Sequence, residues 1–284
     1  MEQPFSLIGR TALITGGSRG IGRGIALAMA QCGADVAITY HRAGDQAQNA
    51  HQVLQAVEAL GRRAFAFPAD LEQTQSLHPL VDDIWAAAGP IHILVNNAGQ
   101  AALQHFNEID LPAWRHTFAV NLTAPFFIAQ RVAEHMIDHH IRGRIISVSS
   151  KNGFVASAGL CHCNSSKGGL EMLSRPLAIE LGPHGITANT LAPGDTKTQI
   201  TSDHQDFDTP SWQDLKFHVP LENRLAEVDD VAYAAVFLAS SSAAYMNGQH
   251  LILDGGMIIQ QVPRLQFMPP YQSRLTPAAP GDSP

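Results

Sequence analysis

Short apolar runs and longer amphipathic segments alternate along most of the chain. The runs 11–15 (TALIT), 35–40 (DVAITY), 63–68 (RAFAFP), 91–99 (IHILVNNAG), 144–150 (RIISVSS), 186–192 (ITANTLA) and 250–256 (HLILDGG) are predicted strands. The run at 91–99 is nearly all apolar, as expected of a central parallel strand buried on both faces. Helices are predicted between them: IALAMAQCG closed by Gly33, 45–60 ended by Gly61, 74–88, 112–140 with Pro112 near its first turn, Cys163 to about Leu181, and 228–240. Strict alternation of strand and helix implies a parallel sheet covered on both faces by right-handed crossovers. The fold class is therefore α/β, a Rossmann-type doubly wound sheet of about seven strands, forming a single domain over 1–256. The polar, irregular stretch 195–219 is the natural substrate lid, and 257–284 is a proline-rich tail.

Composition narrows the class. The chain has 284 residues, 45% apolar and 15% charged, which suits a well-buried globule. Its formal net charge is -7 with no basic stripe, which argues against nucleic acid and anionic membrane surfaces as partners. Three cysteines are too few for a disulfide framework and fit a reducing compartment. The first ten residues carry no signal-like apolar segment, and no run is long enough to span a membrane, so a cytoplasmic location is expected. Cys161-His162-Cys163 has no second Cys/His pair at ligand spacing, so no metal is expected.

The candidate chemistry lies just past the predicted strand ends, where ligands of open α/β sheets sit. Gly16-Gly17-Ser18-Arg19-Gly20-Ile21-Gly22 joins the first strand to the first helix. Glycines there let the backbone approach a diphosphate, and the helix N-terminus favours the anion. The second strand ends at Tyr40, followed by His41 and Arg42, where an NAD-specific site would place an acid. With Arg19 this suits a 2′-phosphate, so NADP(H) is expected over NAD(H). Asp70-Leu71 and Asn96-Asn97-Ala98-Gly99 follow the third and fourth strands. Asn121 interrupts the apolar run FAVNLTAPFF, either as a structural contact or as a member of a proton relay. Ser149 and Ser150 end the fifth strand, and Cys163 and Lys167 stand four apart, on one face if helical.

Taken together these motifs resemble the classical short-chain dehydrogenases/reductases over about residues 8–256. The resemblance rests on Thr15 to Gly22, Asn96 to Gly99, Asn121, Pro193-Gly194 with Thr198, and Asp254-Gly255-Gly256. It implies a catalytic set of Asn121, Ser150 and Lys167, with a tyrosine four residues before the lysine and thirteen after the serine. That position is Cys163. It also implies cofactor binding by Gly16, Ser18, Arg19, Gly20, Ile21, Gly22, Tyr40, His41, Arg42, Asp70, Leu71, Asn97, Ala98, Gly99, Lys167, Pro193, Gly194, Thr196 and Thr198. A small carbonyl or alcohol (ketone, sugar or polyol) is the implied substrate. Homo-oligomers, tetramers or dimers, are usual and would pair the helices at 112–140 and 163–181.

Cysteine changes the chemistry. Its thiol titrates near 8.5, and a nearby lysine charge would lower it further, so protonation is no obstacle. Reach is the obstacle: the sulfur stops one bond past Cβ, where a phenol extends beyond a whole ring. Three functions remain open: an oxidoreductase in which Cys163, a water or His162 carries the proton; an NADP(H)-binding sensor or partner subunit without turnover; and a reaction with Cys163 as nucleophile.

Overall fold

The structure is a computed structural model and describes residues 4–198, 219–222 and 224–260. All of the expected lid except its two ends, and the tail beyond 260, lie outside the described residues. Seven strands form one parallel sheet: β1 (Thr11–Ile14), β2 (Asp35–Tyr40), β3 (Ala64–Pro68), β4 (Ile93–Asn96), β5 (Arg144–Val148), β6 (Thr187–Pro193) and β7 (His250–Leu253). Their order is β3-β2-β1-β4-β5-β6-β7. The chain winds outward from β1 to β3, then crosses back to start again at β4. This reversal leaves a crevice beyond the carboxyl ends of β1 and β4, where such sheets bind ligands.

The helices are α1 (Gly20–Gln31), α2 (Gln46–Ala59), α3 (Leu77–Ala88), α4 (Leu111–Phe118), α5 (Ala124–Asp138), α6 (Cys161–Leu181) and α7 (Val228–Ala239). They cover both faces of the sheet. On one face Ile14, Ile38, Ile146 and Leu191 pack under Ile25 and Met29 of α1 and Val231 and Val236 of α7. On the other, Leu13, Leu94 and Ile145 pack under Val81 and Ile84 of α3 and Ile128 and Val132 of α5. Alternate strand residues thus feed two cores, and that is why strands such as β4 and β5 carry apolar residues on both faces rather than on one. No helix among the described residues is long and apolar enough to cross a membrane.

Two elements differ from the sequence expectation. The strand expected at 91–99 pairs only over Ile93–Asn96, because Asn97 to Gly99 turn away to line the crevice. The single helix expected at 112–140 is interrupted by a π-helical turn, Ala119–Thr123, between α4 and α5. Pro125 explains it: proline has no N–H, and its ring clashes with the carbonyl four residues back, that of Asn121. Widening the turn relieves the clash, and such turns mark functional sites.

Candidate active site

At the β1 end, Thr15 Oγ1 accepts hydrogen bonds from the backbone N–H groups of Asn97 and Ala98, both at 3.0 Å. The Asn97 side chain returns donors to Thr15 O at 2.9 Å and Gly16 O at 3.2 Å. These bonds tie the glycine loop to the β4 end. The loop has no room for side chains. Gly16 has φ +64°, and a Cβ there would lie 3.0 Å from Ala98 Cα. A Cβ on Gly22 would lie 2.3 Å from Gly16 O. Among the described residues the α1 N-terminus has no side-chain cap and no acid in its first turn, so its leading N–H groups and positive dipole end suit an anion. This cradle fits the diphosphate of a nicotinamide dinucleotide.

A cavity of about 500 Å³ extends from the cradle across the sheet end. Most of the expected site residues line it: Gly16, Ser18, Arg19, Gly20, Ile21 and Gly22 from the loop; Tyr40 and His41 after β2; Asp70 and Leu71 after β3; Asn97, Ala98 and Gly99 after β4; then Ser150, Cys163, Lys167 and Thr198. Arg42 instead faces an adjoining hollow, with His41, Asp70 and Gln73. Pro193, Gly194 and Thr196 do not line the main cavity. Gly194 abuts the β7 end, where a Cβ would fall 2.8 Å from Asp254 Cα, and Thr196 Oγ1 donates to Gly194 O at 3.1 Å.

The catalytic candidates converge at the far end of this cavity. Ser150 Oγ accepts from the backbone N–H of Asn152 at 3.1 Å, leaving its own proton to point at a ligand oxygen. Lys167, on α6, donates through Nζ to Val148 O at 2.9 Å. Gly99, on the loop after β4, lies beside both groups: a Cβ there would stand in ordinary contact with that Nζ at 3.5 Å and with Asn121 Oδ1 at 3.4 Å. Burial holds the Lys167 amine below its usual range, against opposing pulls from Cys163 and Glu171. Asn121 does not line the cavity and is fully buried. Its Oδ1 accepts from Gln100 N at 2.9 Å, and its Nδ2 donates to Gln100 O and Ser166 Oγ, both at 3.0 Å. Ser166 Oγ in turn donates to Cys163 O at 2.8 Å. The Asn121 side chain therefore fastens the π turn to α6 behind the reacting residues.

Cys163 is 5% exposed and lines the cavity. Burial pushes its thiol up, and the Lys167 charge only partly offsets this. The expectation that the lysine charge would lower the thiol further is corrected: desolvation of a thiolate on α6 outweighs the charge beside it. His162 is fully buried, lies outside the cavity lining, and has neither ring nitrogen hydrogen-bonded. Burial lowers its pKa. It points away from the lysine face, as its one-residue offset requires.

Sequence reasoning missed several lining residues: Gln46, Glu72, Gln100, His116, Asn152 and Leu160. Gln46 accepts the Ser18 hydroxyl proton. His116 Nδ1 and Glu72 Oε1 are in contact at the cavity rim, joining α4 to the segment after β3. Position beside known strand ends could have found Glu72, Gln100 and Asn152. Nothing local in the sequence marks Gln46 or His116.

The fold, cradle and Ser–Lys–Asn arrangement define a nicotinamide-dinucleotide enzyme of the Rossmann type. A family model described as enoyl-(acyl carrier protein) reductase matches residues 16–258. An L-rhamnose 1-dehydrogenase (NAD(P)(+)) from a Sphingomonas species is 36% identical over 253 residues, covering 89% of this chain and 98% of that relative. A gluconate 5-dehydrogenase from Gluconobacter oxydans is 35% identical over 259 residues, covering 90% of this chain and 97% of that one. The crystal structure of a gluconate 5-dehydrogenase from Burkholderia cenocepacia in complex with NADP and tartrate superposes with a TM-score of 0.84 at 32% identity, covering 91% of this chain and 98% of that one. The chain belongs to the short-chain dehydrogenase/reductase family, oxidoreductases that act between CH–OH and C=O with NAD(P).

Proposed function

We propose that this protein is an NADP(H)-dependent oxidoreductase that interconverts the carbonyl and alcohol forms of a sugar or polyol, through a site in which Cys163 replaces the usual tyrosine. The observation that carries the reading is the convergence of Ser150, Lys167 and Cys163 on one cavity that is continuous with the glycine cradle. When bound, the nicotinamide supplies or accepts the hydride. Gly16 to Gly22 and the α1 N-terminus would hold the diphosphate, and Lys167 the nicotinamide ribose. NADP rather than NAD is supported by Arg19, Tyr40 and His41 on the cavity wall, by Arg42 beside it, and by the absence of an acid at the β2 end. A sugar-type substrate is supported by the names of the relatives, which are rhamnose and gluconate dehydrogenases.

Ser150 polarises the substrate oxygen by donating its hydroxyl proton. The proton that a phenol would move has no direct carrier at the same reach. A side chain this much shorter leaves room for roughly two waters between the sulfur and the substrate oxygen. In this reading a water there carries the proton, with the thiol neutral at its base and Lys167 lining the same cavity. The neutral, buried thiol disfavours the nucleophilic alternative. The domain is taken as 1–256; the lid read at 195–219 and the tail read at 257–284 fall almost wholly outside the described residues. A cytoplasmic location is supported by the three cysteines, too few for a disulfide framework. A homo-oligomer, tetramer or dimer, is supported by Phe126 of α5 and by Met172 and Ile179 of α6, which are exposed in the single chain.

The test is direct. NADPH and NADH are titrated by fluorescence, and NADP-linked turnover is then followed at 340 nm with aldoses, polyols and aldonates. Tighter binding of NADPH and measurable turnover of at least one sugar-type substrate are expected. Binding without turnover on any of them would favour the sensor or partner-subunit reading.

A further inference from the structure

At the opposite end of the sheet from the cofactor cavity, the amino ends of the strands gather cations. Arg144 opens β5 and is 6% exposed. One of its terminal nitrogens donates to Gly143 O at 2.9 Å, while its Nε is buried and unpartnered. No carboxylate pairs with it among the described residues. The charges acting on it are those of Arg10 and Arg142, both repulsive, and with burial they depress its basicity. Arg10, which immediately precedes β1, also repels His92, whose Nδ1 accepts from Thr11 N at 3.1 Å. Neither Arg10 nor Arg142 forms an ion pair among the described residues.

A second unsatisfied group lies beside the first. Thr187 opens β6 directly opposite Arg144 in the parallel register. Paired residues of neighbouring strands project to one face. Here it is the face on which Ile146 and Leu191 meet α1 and α7. Thr187 is 8% exposed, and its Oγ1 is also buried without a partner. A donor on Arg144 and a hydroxyl on Thr187 are thus both without a partner at the paired starts of β5 and β6, and the charges of Arg10 and Arg142 act on the first. A buried guanidinium without a counter-charge is among the costliest features a fold can retain. What sets this pair apart from the other unpartnered buried atoms is the register that joins the two residues and the lack of any carboxylate paired with Arg144 among the described residues.

We propose that this end of the sheet is a binding site for a small oxyanion of the phosphate or carboxylate class, held by Arg144 and Thr187 from below and by Arg10 and Arg142 at the rim. The oxyanion accepts from the Arg144 Nε and the Thr187 hydroxyl and neutralises the cluster. A planar guanidinium suits two-point recognition of such a group. The site is separate from the diphosphate cradle, since the strands β1, β4 and β5 lie between them.

The experiment is thermal unfolding of the full chain with saturating NADPH, which occupies the other phosphate-binding site. Sodium phosphate is titrated against sodium chloride at matched ionic strength. Phosphate should raise the midpoint by roughly 5–10 °C as it reaches a hundredfold excess over its dissociation constant. Chloride should not. Arg144→Met should abolish the phosphate response without lowering the phosphate-free midpoint, because it removes an uncompensated buried charge. An equal rise with chloride, or a wild-type phosphate response in Arg144→Met, overturns the proposal. If Arg144→Met does not fold, Arg10→Gln and Arg142→Gln serve instead. They should shift the half-saturating phosphate concentration several-fold upward, and unchanged values overturn the proposal equally.

Discussion

Gly22→Ala is a single-methyl probe of the cofactor cradle. Gly22 sits in the first turn of α1, and an added Cβ would lie 2.3 Å from Gly16 O and 2.4 Å from Asn97 Nδ2. Both are far inside van der Waals contact, and neither atom can swing aside cheaply. Gly16 O is backbone, and the Asn97 amide is held by its bonds to Thr15 O and Gly16 O. The loop must therefore move away from α1, and the diphosphate must follow it or lose its N–H donors. Overpacking of this kind costs about 1–3 kcal/mol. Expressed wholly in binding, that weakens NADPH affinity by roughly 5- to 150-fold. The assay is fluorescence titration of NADPH on wild type and Gly22→Ala, with near-UV circular dichroism to show that the variant is folded. A folded Gly22→Ala that binds NADPH with the wild-type dissociation constant would refute the cradle assignment.

Other expectations follow from the same geometry. Cys163 should react with iodoacetamide at least roughly tenfold more slowly than the more accessible Cys161 at pH 7.5, with the rate climbing at higher pH, because burial keeps its thiol protonated. Peptide mapping measures this, and fast labelling would reinstate the nucleophile. Asn121→Ala should destabilise the protein by about 1–3 kcal/mol in urea unfolding, since Gln100 and Ser166 lose buried partners. A loss below about 0.5 kcal/mol would contradict its fastening role. Burial alone would raise the Asp35 carboxyl, but hydrogen bonds from Arg63 and the charges of Arg62 and Arg63 hold it below its usual value of 3.8. Its contribution to stability is therefore fully present above that value and lost as pH falls through the lower folded one. Asp35→Asn should flatten the acid limb of the stability curve, and an unchanged limb would count against this.

How legible the fold was depended on the period of the pattern. Apolar runs such as Ile145 to Val148 and the alternating helices set strand count and parallel topology, because the central strands are buried on both faces. Boundaries were less legible where chemistry interrupts packing. The chain leaves the sheet at Asn97, whose side chain bonds the glycine loop; the change from Ile93-Leu94-Val95 to Asn96-Asn97 hints at an exit there but does not fix the residue at which pairing stops. The π turn was half-legible: Pro125 signalled a perturbation, but its form depends on the clash with the preceding turn. Site residues beside glycines and strand ends could be read directly. Gln46 and His116 could not, because they reach the cavity only through the tertiary placement of α2 and α4. The thiol of Cys163 was misjudged for a related reason. The attraction of Lys167 follows from i,i+4 spacing, whereas burial, which wins, is a property of the assembled fold.

The central claim is that Cys163 occupies a working but weakened hydride-transfer site. The most direct measurement is NADP-linked turnover of a sugar-type substrate by wild type, Cys163→Tyr and Cys163→Ala under one set of conditions. With a water carrying the proton, wild type and Cys163→Ala should turn over at rates within about tenfold of each other. Cys163→Tyr should be faster by about 10²–10⁴, the usual worth of a positioned acid/base. Turnover by Cys163→Tyr alone, with wild type binding NADPH but inert, would contradict the claim and leave a cofactor-binding protein that does not catalyse.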